Sequence, residues 1–146
     1  MRLKENQLLR ISLKNPRLKE RIIQLNTQEQ LYKKGIDSEG RKLKSGSFSA
    51  IINDEVYAMR TIFEKELKGQ PTDRVTLNDT GDFYNSFRVN ATDDEIIITA
   101  KTMKQDNDLL KVWGEDILGL TDENLQEIID RIRVEVLYYL NKTITP

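Results

Sequence analysis

The chain contains no cysteine and no histidine. Without cysteine there is no disulfide framework and no thiol nucleophile. Without histidine the Ser-His-Asp and Cys-His arrangements are excluded, as is every histidine-ligated metal site. Apolar residues are sparse too: 38% of the 146 positions, against 32% charged, respectively below and above the globular norm. No apolar run is long enough to span a bilayer, and the opening MRLKENQLLRISLK has scattered cations but no apolar signal core, so neither a membrane span nor a secretory signal is expected. No cofactor, catalytic residue or metal site is expected. Length and composition suit one small α+β domain with one modest core and much exposed surface.

What the chain does have is an uneven distribution of charge. Residues 1–68 hold 15 Lys and Arg against 9 Asp and Glu, a net of +6; the remainder hold 8 against 15, a net of −7. One reading is a solvated helix face with a chance imbalance. The other is head-to-tail assembly, in which the basic half of one copy meets the acidic half of the next, a heterologous contact that closes into a ring or continues as a filament.

The densest local signal is LNDTGDFYNSF, Leu77 to Phe87. A short apolar run, Val75 and Leu77, gives way to Asn78, Asp79, Thr80 and Gly81, which are turn and helix-start residues. Phe83 and Phe87 lie four apart and share one face of a helical turn, with Tyr84 between them. Phe83, Phe87 and the later Trp113 read as core anchors, since aromatics contribute mainly through burial. Gly81 and Gly114 read as backbone turns.

In chain order, residues 1–26 read as a basic helical arm, 27–140 as a single α+β domain and 141–146 as a tail that frays. Asn15-Pro16 is a helix start, with Asn as N-cap and Pro at the first helical position. Leu18, Ile22 and Leu25 share a face. Thr27 with Gln30 has the form of a capping box that restarts a helix through Tyr32, and Gly35 sits where a left-handed C-cap belongs. Gly35 to Leu43 reads as a tight loop around Ser38-Glu39-Gly40. Its Asp37 and Glu39 fail the EF-hand pattern, because Arg41, Lys42 and Lys44 occupy the later ligand positions. Ser45-Gly46-Ser47 marks a connection, and a helix from about Asn53 to Lys68 ends at Gly69-Gln70-Pro71.

Arg88–Ala91 and Glu95–Ala100 read as a β-hairpin turning at Asp93-Asp94. The contiguous Ile96, Ile97 and Ile98 predict a strand covered on both faces. Asn107 or Asp108 caps a short helix that carries Leu109, Leu110 and Trp113 and ends at Gly114. Thr121 caps the last helix, whose Leu125, Ile128, Ile129, Ile132, Val136 and Leu140 form a sustained 3.6-period stripe. The expected fold is therefore α+β: a small antiparallel sheet, a β-hairpin plus one or two strands, packed against a long C-terminal helix and N-terminal helices.

The order of these segments resembles the tail-completion and virion-morphogenesis family of tailed bacteriophages, the neck or head–tail connector proteins. The resemblance spans about Gln28 to Leu140. A G-x-D-x-x-G segment is matched by Gly35, Asp37 and Gly40, and a following Thr…Lys helix by Thr61 and Lys65. A TG-x-[LF]-x-x-S-[IF] motif is matched by Thr80, Gly81, Phe83, Ser86 and Phe87, and an aromatic-Gly pair by Trp113 and Gly114. An apolar LGL segment entering the last helix is matched by Ile117 to Thr121. The chain departs from the family where Glu115-Asp116-Ile117 stands in place of an R-P-F run, acidic where the family is basic.

The resemblance implies a non-enzymatic structural subunit of a neck ring, six- or twelve-fold, between portal and tail, lining or sealing the DNA channel. Its partners would be copies of itself, portal and other neck or tail proteins, and genomic DNA in the channel. Its location would be the virion, and the host cytoplasm during assembly. Candidate contact residues are Arg2, Lys4, Arg10, Lys14, Arg17, Lys19, Arg21, Glu115 and Asp116. Two other classes stay open. The basic N-terminal segment could bind nucleic acid, with affinity falling steeply in salt; the absence of interleaved aromatics argues against stacking on single strands. A carboxylate pair such as Asp79 and Asp82 could serve acid–base chemistry, although nothing in the sequence orients them.

Overall fold

Asn15 ends a helical segment at residues 12–14 and starts the next helix as the sequence predicts: its side-chain oxygen accepts the backbone N–H of Arg17 at 3.0 Å, and Pro16 follows with no N–H to satisfy. The computed structural model describes residues 12–43, 63–71, 73–92, 95–104 and 106–144. Helix α1 (Pro16–Gln24) buries Leu18 and Ile22 and runs without a break into a π-helical segment, Leu25–Lys34. The expected restart at Thr27 does not occur. The Thr27 hydroxyl instead donates to the Ile23 carbonyl at 2.7 Å, a bond made within a continuing helix. The helix also crosses the boundary expected between residues 26 and 27, with Leu25, Asn26 and Thr27 all buried. It stops at Gly35, whose φ of 62° provides the left-handed cap.

After the Gly35–Leu43 loop, closed by an Ile36–Lys42 bridge, a short helix is seen over residues 63–67 and turns out at Gly69 (φ 66°). The rest of the helix expected from Asn53, and the Ser45-Gly46-Ser47 connection, lie outside the described residues. One turn of helix, α2 (Asp82–Asn85), leads into the hairpin β1 (Arg88–Ala91) and β2 (Ile96–Thr99), antiparallel with Val89 opposite Ile98. A second ladder, β3 (Met103–Lys104) against β4 (Asn107–Asp108), is also antiparallel. The additional strands thus form their own two-stranded ribbon and do not widen the first sheet. Helix α3 (Leu109–Trp113) is capped by Asp108, whose carboxylate accepts the N–H of Leu110 at 3.0 Å, and a 3-10 turn, Glu115–Ile117, follows. The last helix, α4 (Asp122–Ile144), starts at Thr121, whose hydroxyl accepts the N–H of Asn124 at 3.3 Å. It continues through residues 141–144 of the expected tail.

Two apolar clusters hold the α+β fold together. The first gathers Leu31, Leu43, Phe83, Tyr84, Phe87, Leu109 and Ile117, with Trp113 half-buried at its edge. The Phe83 and Phe87 rings meet edge-on, centroids 5.0 Å apart, as expected for side chains one turn apart. The second joins Leu13, Leu18, Ile22 and Leu25 to Val89 of β1 and Ile128 of α4. Ile23 and Ile98 pack against both. Strand β2 departs from the expectation of cover on both faces. Ile96 and Ile98 pack inward, whereas Ile97 is 36% exposed, because among the described residues only one face of the two-stranded sheet is covered.

Candidate assembly interface

Two of the segments that carry the sequence motifs, far apart along the chain, meet as a loop pair, Gly35–Leu43 and Asp116–Thr121. Asp37 organises the first loop. Its Oδ1 accepts the amides of Glu39 and Arg41 at 3.0 and 2.9 Å, and its Oδ2 accepts Arg41 Nε at 2.9 Å. Gly40, at φ 76°, completes the turn. The two loops are joined by the Ser38 N–H, which donates to the Asp116 carbonyl at 2.8 Å, and by Arg41 Nη2, 2.5 Å from Asp116 Oδ2. The approach is close: a Cβ on Gly119 would lie 3.0 Å from the Ser38 Cβ, while Gly35 packs against a third segment, where a Cβ would lie 3.0 Å from the Val75 carbonyl oxygen. Gly35, Asp37 and Gly40 are therefore loop-forming residues, and Asp116 is a partner of Arg41.

Asn26, which the sequence reading passed over, and Gln30, read there as half of a capping box, lock this arrangement. Asn26 and Gln30 are fully buried. The Asn26 amide donates to the Ile117 carbonyl at 3.0 Å and its oxygen accepts the Gly119 N–H at 2.8 Å. Gln30 donates to the Gly119 carbonyl at 2.8 Å and accepts from the Thr121 N–H at 2.9 Å and from Asn124 Nδ2 at 2.8 Å. The LGLT segment thus uses two side chains in place of a strand partner to satisfy its backbone. The sequence signal was present, since Ile22, Asn26 and Gln30 recur at i, i+4 along the stripe begun by Ile22, and amides on a buried stripe need partners.

The second motif is likewise a connector. Thr80 Oγ1 accepts the Asp82 N–H at 3.3 Å beside Gly81 (φ 86°). Ser86 Oγ donates to the Phe83 carbonyl at 2.6 Å and accepts the Lys101 N–H at 2.9 Å, tying α2 to the strand that leaves the hairpin. The Tyr84 hydroxyl donates to the Thr76 carbonyl, and burial pushes the phenol pKa up. Lys65 donates to the Arg74 carbonyl at 2.6 Å, and burial together with the neighbouring Arg74 holds its ammonium below the usual lysine value. Thr61 lies outside the described residues. Gly114 (φ 85°) ends α3, as expected.

Of the carboxylates considered for acid–base chemistry, Asp79 is held by two lysines: Lys68 and, at 2.5 Å, Lys104. Those two bonds lower its pKa to about 2, which suits an ionised bridge and not a proton carrier. Asp82 is exposed in the first turn of α2. Among the described residues no cluster of His, Cys, Asp and Glu could hold a metal ion, and no helix is long and apolar enough to cross a membrane.

Of the candidate contact cations, Arg2, Lys4 and Arg10 lie outside the described residues. Lys14 and Arg17 are exposed and Lys19 is half-buried. Arg21 is engaged within the chain: its Nε and Nη2 meet Glu127 of α4 at 2.8 and 3.1 Å, and this fork holds the Glu127 carboxyl below the usual range. Glu115 is exposed. The pairs Arg21–Glu127, Arg41–Asp116, Lys68–Asp79 and, at 3.9 Å, Lys34–Glu123 all join the basic half of the chain to the acidic half. Part of the charge complementarity visible in the sequence is thus used inside one copy.

A further part of the described surface is apolar. The face of α4 that carries Val134, Leu137 and Tyr138, at i, i+3 and i+4, is 69, 58 and 56% exposed. The predicted stripe is buried at Ile128, but Leu125 at its start is 41% exposed. Leu125 borders an open surface pocket of about 160 Å³, lined also by Ile22, Ile96, Ile98, Leu120, Ile128 and the Leu118-Gly119 segment. Among the described residues, α4 thus exposes an apolar ridge. Comparison with protein-family models, curated proteins and solved structures returns no match.

Proposed function

We propose that the chain is a structural, non-catalytic subunit of a bacteriophage neck or tail-completion ring, seated between portal and tail and lining or sealing the DNA channel, in the virion and, during assembly, in the host cytoplasm. The observation that carries the reading is the convergence of the motif segments. The G-x-D-x-x-G loop and the connector into the last helix, more than 70 residues apart, are joined at Asp116 by Ser38 and Arg41, and Asn26 and Gln30 hold the LGLT backbone to the helix that precedes that loop. The exposed apolar surface of α4 adds support, since a domain with this little apolar content would otherwise gain by burying it.

Assembly on this reading rests on apolar contact more than on charge, because four ion pairs between the halves are already made in one copy. The test is the mass of the purified chain by light scattering at low and high salt, with electron microscopy of any discrete species. Closed annuli that persist in salt and have an opening wide enough for duplex DNA support the proposal. A monomer at every salt and concentration that also fails to bind a portal ring would overturn it.

A further inference from the structure

We infer that the chain binds a phosphate group in the cleft between α2 and the outer face of the hairpin, with Arg88 and Lys101 as its cationic ligands. The cleft is open and about 690 Å³ in volume, and three segments build it. Asp82, Asn85 and Ser86 come from α2 and its end, Arg88 from the start of β1, and Thr99 and Lys101 from the end of β2 and the residues after it. Apart from Ala100, every described residue that lines it is polar or charged. Such a wall suits a hydrated, charged ligand and not an apolar one.

The fold places these groups before a ligand arrives. Val89 and Ile98 pair on the inward face of the hairpin, which turns the neighbouring pair, Arg88 and Thr99, to the outer face. Arg88 Nη1 donates to the carbonyls of Asn85 and Phe87 at 3.0 and 2.7 Å, which holds the guanidinium against the end of α2. The opposite wall is tied to the same helix, since the Ser86 hydroxyl accepts the Lys101 N–H at 2.9 Å. Walls held in this way reduce the ordering cost of binding. The charge is also available. Arg21, Arg41, Lys68 and Lys104 each meet a carboxylate of the same chain, whereas neither Arg88 nor Lys101 pairs with one among the described residues. The cleft therefore holds two unpaired cations against one carboxylate, Asp82, a balance that favours an anion over a metal ion. The remaining guanidinium N–H groups, the Lys101 ammonium, the Asn85 amide and the Thr99 hydroxyl are the donor types that phosphate oxygens accept. The phosphate has two sources, the backbone of a DNA duplex or a small phosphate-bearing molecule. The site stands apart from the ring reading; under that reading, its face is the one turned to the channel.

The test compares the full-length chain with the pair Arg88→Gln and Lys101→Gln, with Asp82→Asn, and with Lys111→Gln, an exposed cation outside the cleft. All four positions are exposed, and circular dichroism checks that each variant folds; Lys101→Gln alone replaces the pair if losing Arg88 disturbs α2. One arm measures binding to a short labelled DNA duplex by fluorescence anisotropy across a salt series. The other measures the thermal midpoint in potassium phosphate against potassium chloride of equal ionic strength. Phosphate also stabilises proteins by exclusion from their surface, so the readout is the part of the shift that the pair removes. The pair should weaken duplex binding about ten-fold, the loss of one charged hydrogen bond, and lower the salt slope by about one for each cation. Asp82→Asn should tighten binding, because it removes the opposing charge, and Lys111→Gln should leave both arms unchanged. If the pair removes the phosphate shift but leaves duplex binding as it was, the site is upheld and its ligand is a small phosphate-bearing molecule. If the pair changes neither arm, or Asp82→Asn weakens both, the inference is overturned. A chain that forms closed rings yet binds neither probe keeps the ring reading and loses this one.

Discussion

The Asn26 side chain holds Gly119, 93 residues away, by accepting its N–H at 2.8 Å, and the same amide group donates to the carbonyl of Ile117 two residues earlier. That two-point hold fixes the connector before α4, and with it the direction in which the long helix leaves the body. Replacing Asn26 with Leu should leave a buried N–H and carbonyl unpaired and cost about 2–4 kcal/mol. Urea unfolding should show a lower midpoint with an unchanged slope. Gln30→Ala should cost at least as much, since it leaves the Gly119 carbonyl, the Thr121 N–H and the Asn124 amide without a partner.

Gly119 tests the close packing of the two loops. A Cβ there meets the Ser38 Cβ at 3.0 Å and its hydroxyl at 3.3 Å. Gly119→Ala should therefore be destabilising by about 1–3 kcal/mol. Ser38→Gly introduced alongside it should restore much of the loss. Gly40→Ala has open space around the new methyl but keeps φ at 76°, so its cost should be the backbone term alone, about 1–2 kcal/mol. A double-mutant cycle on thermal midpoints separates the two mechanisms.

Phe87 is 1% exposed and meets both Phe83 and Tyr84 edge-on. Phe87→Ala should cost about 3–5 kcal/mol, a large share of what a domain of this size has. Phe87→Leu should cost less, since it retains most of the buried volume. Denaturant titration of the pair checks the order.

Asp79 sets an acid-range dependence. Its folded pKa of about 2 lies below the ordinary 3.8. The stability it contributes is fully present above the ordinary value and is lost as the pH falls through about 2. The side chain is 44% exposed, so the contribution is modest and screened by salt. Asp79→Asn should therefore be less stable than wild type at about pH 5, with the gap closing as the pH falls toward about 2 and also narrowing in high salt. A gap that widens as the pH falls would contradict this sign. Glu127, held below its usual range by Arg21, acts in the same direction.

Most local elements are readable from residue pattern. Asn15-Pro16, Gly35, Asp108, Gly114 and Thr121 each begin or end an element where the pattern places them. The physics there is local: a side chain caps a nearby backbone group, or a glycine adopts positive φ. The Phe83–Phe87 anchor is legible for the same reason, since one helical turn sets the spacing. Pattern reading fails where distant partners compete with a local signal. Thr27 has the residue type of a cap, but it lies on a helix with a continuous buried face, so its hydroxyl bonds back to Ile23 and the helix continues. Ile97 has the residue type of a buried strand position, but burial depends on what covers the second face, and nothing among the described residues does.

Residue type and short-range spacing suffice for the alternation of helix and hairpin, the aromatic anchor, the long last helix and the exclusion of histidine and cysteine chemistry. They do not suffice for the long-range choices, which packing makes. Asn26 and Gln30 clasp a segment some 90 residues away. Arg21, Arg41 and Lys68 spend their charge on Glu127, Asp116 and Asp79 of the same chain. The exposed apolar ridge falls on α4. Each of these outcomes depends on which distant groups the packed core brings within hydrogen-bonding range, and no local pattern encodes that distance.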